Sequence, residues 1–384
     1  MARGTKVPIT PSVLNWAIVE SGYSTEDIAN RIGEPSDLVQ SWINGDSVPL
    51  LSQFHTLVSI LKRPAATFFL PDPPQIHNIH IEFRGPKEKD RRPLNPKERQ
   101  LIRQARRLQE HLSWLNKEFT ERRPHLSKAT ISSHVESTAI DIRTDLGIGV
   151  AKQLGWHSST EAFKEWRSTL EKSGIFVFLF PIGKESCRGF SLSDPFAPVI
   201  AVNTAWNNEA RIFTLFHELG HLITRTDSAC KRSGNFALTK TSDKTERWCE
   251  KFAASVLLPW NAVKRFISEN YSWTEGRKIN SIDAVYELAN KFKVSARAAA
   301  IRLIHRQAAD WTLYKQIPPI ADDKQGGRGG KGRARQEISE ANYGLKTAKL
   351  LIRGADEKYL TMADAIEFLR IKDTDLDRFR EHVR

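Results

Sequence analysis

Two histidines four residues apart, His217 and His221, enclose a glutamate, Glu218, in the run His-Glu-Leu-Gly-His. On a helix this spacing lays both imidazoles one turn apart on the same face, where each can aim a nitrogen at a single ion. Zinc suits such a pair, because it favours nitrogen ligands in a tetrahedral shell and keeps one position open for water in a catalytic site. The ion lowers the pKa of that water to about 7, and Glu218, beside the first ligand, stands to take the proton and pass it to a leaving amine. The chemistry this spells is hydrolysis of a peptide bond. The same residues also fit two hydrogen-bonded core histidines, so their surroundings must decide.

A third protein ligand is required, and a carboxylate from the next helix is the usual solution. Glu246 and Glu250 both stand in a stretch that reads as a helix from about Lys244 to Leu258, closed by Pro259. With Glu246 at 0° and steps of 100°, Cys249, Ala253, Val256 and Leu257 fall between about 280° and 20°, and Glu250 at about 40°. Both acids thus flank the apolar face, where a carboxylate needs a cation or hydrogen bonds. Glu246 is taken as the ligand, and Glu250, one turn later, as an acceptor that orients a ligand histidine. Asp243 and Glu246 also match a capping box, which would fold Glu246 back onto the backbone instead. Gly220 costs a helix interior roughly 0.5 to 1 kcal/mol relative to alanine, so a second segment is expected to approach closely there.

The elements that must position these groups read as an α+β arrangement. Ile212, Leu215, Phe216, Leu219, Leu222 and Ile223 make a largely buried helix that starts near Arg211. Apolar, β-rich stretches at 175–180 and 199–202 predict strands, with Asp194-Pro195 as a turn between them. Helices are expected again around 281–292 and 296–308. At the other end of the chain, 13–19, 24–32 and 36–43 are short helical patterns separated by Ser21-Gly22, Gly33-Glu34-Pro35 and Asn44-Gly45-Asp46. Ser24 with Asp27 is an N-cap signal and Gly33 a C-cap signal, so a small helix-turn-helix bundle is expected, ended by prolines up to Pro74. From Pro96 to about Phe119, Leu101, Ala105, Leu108, Leu112 and Leu115 repeat at helical spacing. Residues 326–335 are rich in glycine and arginine and read as a flexible linker. The expected domains are 1–74, 75–320, a linker at 321–336 and a helical region at 337–384.

With 384 residues, 40% of them hydrophobic, the chain can build two or three ordinary cores. No apolar run approaches the roughly 18 to 20 residues that cross a bilayer, and the first residues lack a signal-peptide stretch, so a cytoplasmic location without membrane contact is expected. Cys187, Cys230 and Cys249 are an odd number at unrelated spacings, which argues against a disulfide framework or a cysteine zinc cluster. The net charge of +13 is unevenly placed: residues 8–61 hold six acids and one Arg, whereas 82–128 hold fourteen Lys or Arg against seven acids. Arg99, Arg103 and Arg106 lie on the outer faces of the long helix. A solvated surface is the first reading of them and nucleic-acid contact the second.

Together these residues resemble the ImmA/IrrE metallopeptidases that carry an N-terminal Xre-like helix-turn-helix. The resemblance rests on Phe213-Thr-Leu-Phe-His-Glu-Leu-Gly-His221, on Glu246 followed by Phe252-Ala-Ala and Leu257-Leu-Pro259, on Arg188-Gly-Phe-Ser-Leu with Pro198-Val-Ile-Ala-Val-Asn203, and on Arg63-Pro through Pro74. It implies a zincin-like core, a small sheet plus the His-Glu-x-x-His helix, between an all-α N-terminal domain and a helical tail. It implies one zinc ion held by His217, His221 and Glu246, with Glu218 as base. It further implies proteolytic control of transcription by cleavage of a repressor or antitoxin-like protein, in phage-related or stress-response settings. Where the family usually has Asn or Asp after the ligand glutamate, this chain has Glu250, and bulky Trp248 precedes Cys249.

Substrate is expected to add as a strand beside Val199, Ile200, Ala201, Val202 and Asn203, with Arg188-Gly189-Phe190 on the neighbouring strand. The helix 36–43 carries Asp37 and no Lys or Arg, which opposes phosphate contact, although Gln40 and Ser41 have the chemistry to read bases. The alternative function is a non-proteolytic DNA-binding or antitoxin-like regulator with a vestigial or structural metal site. Glu218 speaks against it, because a structural site has no use for that base.

Overall fold

Short apolar stretches punctuated by glycine and proline fold at the start of the chain as α1 (Pro11–Ser21), α2 (Thr25–Ile32), α3 (Ser36–Asn44) and α4 (Leu51–Leu61). The computed structural model describes residues 4–74, 94–119, 123–224, 243–318 and 335–383. Among these, 4–74 and 94–104 form one compact unit and the remainder a second. The glycine-rich run expected to be a linker lies, apart from Arg335, outside the described residues, as does Cys230.

In the first unit the predicted caps are in place. Ser24 Oγ accepts from Asp27 N at 3.0 Å while Asp27 Oδ2 accepts from Ser24 N at 3.0 Å, and Gly33 ends α2 with φ +80°. Leu14, Ile28, Val39, Trp42, Leu57 and Phe68 close a small core. The helix α5 (Pro96–Glu118) begins at Asn95, which exchanges hydrogen bonds with Glu98 at 2.8 Å each way. The first turns of α5 revise the reading of its arginines. Arg99 donates to the carbonyls of Val19 and Glu20, and Arg103 to those of Glu20 and Leu61. These carbonyls lie in the last turns of α1 and α4, where a cation is favoured by the helix dipole. Burial lowers the Arg103 guanidinium to about 10. Neither side chain is the solvated or polyanion-facing group expected from the sequence.

The second unit is built on a sheet of β1 (Phe176–Phe180), β2 (Gly189–Leu192) and β3 (Val199–Asn203), in the order β1-β3-β2. Strand β3 runs parallel to β1 and antiparallel to β2. The Asp194 turn is present, its Oδ1 accepting from Phe196 N and Ala197 N at 2.8 and 2.7 Å. Val177, Leu179, Ile200 and Val202 share a core with α8 (Ser159–Lys172), α9 (Asn208–Thr224) and α10 (Asp243–Leu257). Before them come α6 (Val135–Asp145) and α7 (Val150–Leu154), and after them α11 (Trp260–Tyr271), α12 (Ile282–Phe292), α13 (Ala296–His305) and α14 (Trp311–Gln316).

All of β1 is buried, so its alternate residues need cover too. That cover comes from the end of the chain, where α15 (Arg335–Tyr343) and the start of α16 (Leu345–Asp356) reach β1, and α17 (Met362–Leu369) and α18 (Leu376–Val383) follow. Tyr343 meets Phe178 and Phe180 edge-on at 5.8 and 6.2 Å between ring centres. The region read as a separate tail is thus part of the second unit, because an all-apolar strand must bury both faces. Among the described residues no helix is long and apolar enough to cross a membrane.

The C-terminal end of α10 is pinned by buried polar side chains. Arg143 donates to Val256 O, Gln153 to Leu257 O and Arg302 to Leu258 O. Arg302 also grips Glu136 with two bonds of 2.6 and 2.8 Å. Partial burial pushes the Glu136 carboxyl up, but the hydrogen bonds and charge of Arg302 hold it below the usual carboxylate value. Replacing Arg302 by alanine is expected to cost about 3 kcal/mol, the low end for a broken buried pair because Glu136 keeps some access to water. Urea unfolding measures this. The pair's contribution is full above the ordinary carboxylate pKa and is lost as the pH falls through the lowered folded value, so the gap between wild type and Arg302→Ala should narrow in acid.

Candidate metal centre

Helix α9 starts earlier than its apolar pattern, because Asn207 Oδ1 accepts from Ala210 N at 3.0 Å and so caps it from outside. Apart from Phe213, residues Ile212 to His221 are buried, and His217, Glu218 and His221 are fully so. Helix α10 lies against α9 at Gly220. A Cβ there would meet Cys249 Sγ at 3.0 Å and Phe252 Cδ1 at 3.2 Å, so the missing side chain is what lets the two helices approach, as the sequence led one to expect.

This contact sets Glu246 over the histidine pair. His217 Nε2 and His221 Nε2 are 3.2 Å apart. The Glu246 carboxylate reaches them at 3.1 and 3.4 Å. Its side chain is therefore turned to the imidazoles rather than folded onto its own backbone. Two imidazole nitrogens this close cannot both hold a proton between them, and the Glu246 carboxylate faces the same gap. Ligand atoms about 2.0 to 2.1 Å from a tetrahedral zinc lie about 3.3 Å from one another, close to the 3.2 Å between the two imidazole nitrogens, while Glu246 meets His217 through Oε2 and His221 through Oε1. The donor set thus fits a divalent ion that takes nitrogen and oxygen. Burial pushes the Glu246 carboxyl up, yet hydrogen bonds and charge from His217 and His221 hold it well below the usual carboxylate range. Glu246 is ready to act as an anion at any physiological pH.

The other anticipated residues are arranged differently. Glu250 is exposed on α10 and is not one of the three converging donors. Besides Glu246, Cys249 of α10 also meets His221, and its thiol is raised by burial despite its hydrogen bond to that histidine. Its place on the helical wheel, on the same face as Glu246, was the signal for it. Trp248 turns aside, stacking on Phe252 and donating to Ser133 O at 3.0 Å.

Val199 to Asn203 form the middle strand, hydrogen-bonded to β1 on one side and β2 on the other. A peptide cannot add beside them, which corrects the expected docking strand. Asn203 is instead a bracket: its Nδ2 donates to Gly183 O and Cys187 O at 2.6 and 2.9 Å, holding the loop that leads into β2. Among the described residues β2 pairs on one side only, and it runs beside the catalytic candidate. A Cβ on Gly189 would meet Thr214 Cγ2 at 2.5 Å, Ala201 O at 2.6 Å and Glu218 Cγ at 3.6 Å, so glycine is what allows this strand onto α9.

In the first unit Gln40 is exposed and donates to Asn44 Oδ1 at 2.9 Å, and Ser41 is tied to Leu38 O and Ser47 Oγ. Arg106, on α5, is paired with Glu110 four residues on, at 3.1 Å. None of these lies with the three donors.

Residues 170–304 match the sequence profile of a peptidase family, Peptidase_M78, described as the IrrE N-terminal-like domain. The matched stretch runs from the end of α8 through α13 and so contains the sheet, the His-Glu-x-x-His helix and Glu246. The match covers about a third of the chain, is to the IrrE N-terminal-like domain, and suggests a metallopeptidase type of function for that stretch. No curated protein matches the chain.

Proposed function

We propose that the chain is a zinc-dependent endopeptidase that cuts a regulatory protein, with His217, His221 and Glu246 as the ligands of one zinc ion. The observation that carries this reading is the convergence of their donor atoms at 3.1 to 3.4 Å beside the buried Glu218. Zinc, when bound, supplies Lewis acidity that polarises the scissile carbonyl and acidifies a water molecule. Glu218 does the proton work: it accepts the proton of the attacking water and delivers it to the leaving nitrogen. Cys249 steadies His221, and the substrate backbone lies along β2 near Gly189.

The first unit serves as the regulatory module, a helix-turn-helix type of domain. Its α3 presents Asp37 and no cation, which favours a protein partner over DNA. The natural substrate class is then a repressor or antitoxin-like protein in the cytoplasm, whose removal changes transcription. Mapping new protein N-termini in cells that make wild type or Glu218→Gln tests this. Discrete cleavage within one or a few regulatory proteins, absent with the variant, is the expected outcome. Identical N-terminal maps would overturn the reading.

A further inference from the structure

A cavity of about 470 Å³ opens between α8, α16 and the C-terminal end of α5. Four cations, Lys172, Lys346, Lys349 and Arg353, line it against a single acid, Glu171. That acid is already met by Arg167 at 2.8 Å and Arg353 is paired with Glu357 at 2.8 Å, so the three lysines leave the cavity with a positive charge. Leu345 and Leu350 supply an apolar wall. The volume lies within the range of ligand pockets, about 300 to 1,000 Å³.

One lining group has no structural explanation. Asn116 is 2% exposed, its Nδ2 donates to Phe196 O at 2.9 Å, and its Oδ1 has no hydrogen-bond partner. The amide cannot be turned over to relieve this, because oxygen would then face the Phe196 carbonyl. A buried acceptor left unpaired is costly, so a donor arriving through the cavity would be rewarded.

We propose that this cavity is a binding site for a small organic anion, a phosphate or carboxylate on an apolar body that also carries a hydrogen-bond donor. The anion sits among the lysines, the body lies on Leu345 and Leu350, and the donor reaches Asn116 Oδ1. Such a ligand bridges α8 and α16. Helix α8 also carries Trp166, which meets Phe216 edge-on at 4.7 Å, and Phe216 is the neighbour of His217. Occupancy therefore bears on the helix of the metal centre. The site itself does not depend on the peptidase reading.

Calorimetric titration of the full chain tests it with AMP and 4-hydroxybenzoate as the anionic probes, and adenosine and inorganic phosphate as controls. At least one of the two probes should bind at least tenfold more tightly than both controls, and more weakly as salt is raised. The double variant Lys172→Glu/Lys349→Glu changes two exposed residues away from the metal centre, so it should fold and weaken that binding tenfold or more. Amide hydrogen exchange should slow in 159–172 and 345–356 on binding. The proposal is overturned if neither probe binds, if adenosine or phosphate alone binds as well, if the double variant binds unchanged, or if protection appears elsewhere.

Discussion

Glu218→Gln is expected to lose about 10²- to 10⁴-fold in cleavage rate, the usual contribution of a positioned general acid or base, while keeping its metal. Glutamine has the shape of glutamate but cannot take a proton from water. His217, His221 and Glu246 do not include it, so their convergence should survive the change. The loss should appear in kcat rather than KM, because the proton moves only as the reaction proceeds. Full activity in this variant would mean that another group is the base. Metal loss in the variant would mean that Glu218 belongs to the ligand set.

Removing the metal should have the second large effect, on stability. An ion that binds the folded chain alone stabilises it by RT ln(1 + [L]/Kd), about 4 kcal/mol at a thousandfold excess over Kd. Chelation should therefore lower Tm by several degrees, and zinc should restore it. The two carboxylates of α10 separate in this experiment. Glu246→Ala should abolish the zinc response, since it removes the carboxylate whose Oε2 meets His217 at 3.1 Å and whose Oε1 meets His221 at 3.4 Å. Glu250→Ala, on an exposed position, should leave it intact. The reverse pattern would make Glu250 the ligand.

Much of the site was legible because its signals are local. The spacing of His217 and His221, the phase of Glu246 on its helix and the cost of Gly220 each depend on helical geometry alone, and α9 and α10 reproduce that geometry. The caps of α2 were readable for the same reason. What sequence could not supply was the order of elements in space. Val199 to Asn203 read correctly as a strand, but nothing in those residues says that β2 pairs with their second edge. The all-apolar Phe176 to Phe180 asked for cover on both faces, yet the partner, Tyr343, lies far along the chain beyond the glycine-rich run. Arg99 and Arg103 looked like a charged surface because their acceptors are backbone carbonyls, which carry no sequence signature.

The most direct test is the zinc content of the purified full chain after dialysis against metal-free buffer, measured by mass spectrometry for wild type, His217→Ala, Glu246→Ala and Glu218→Gln. One zinc per chain in wild type and Glu218→Gln, and none in His217→Ala or Glu246→Ala, is the result this arrangement of donors predicts. Wild-type protein that holds no zinc when zinc is supplied, or zinc that persists without His217 and Glu246, would contradict it.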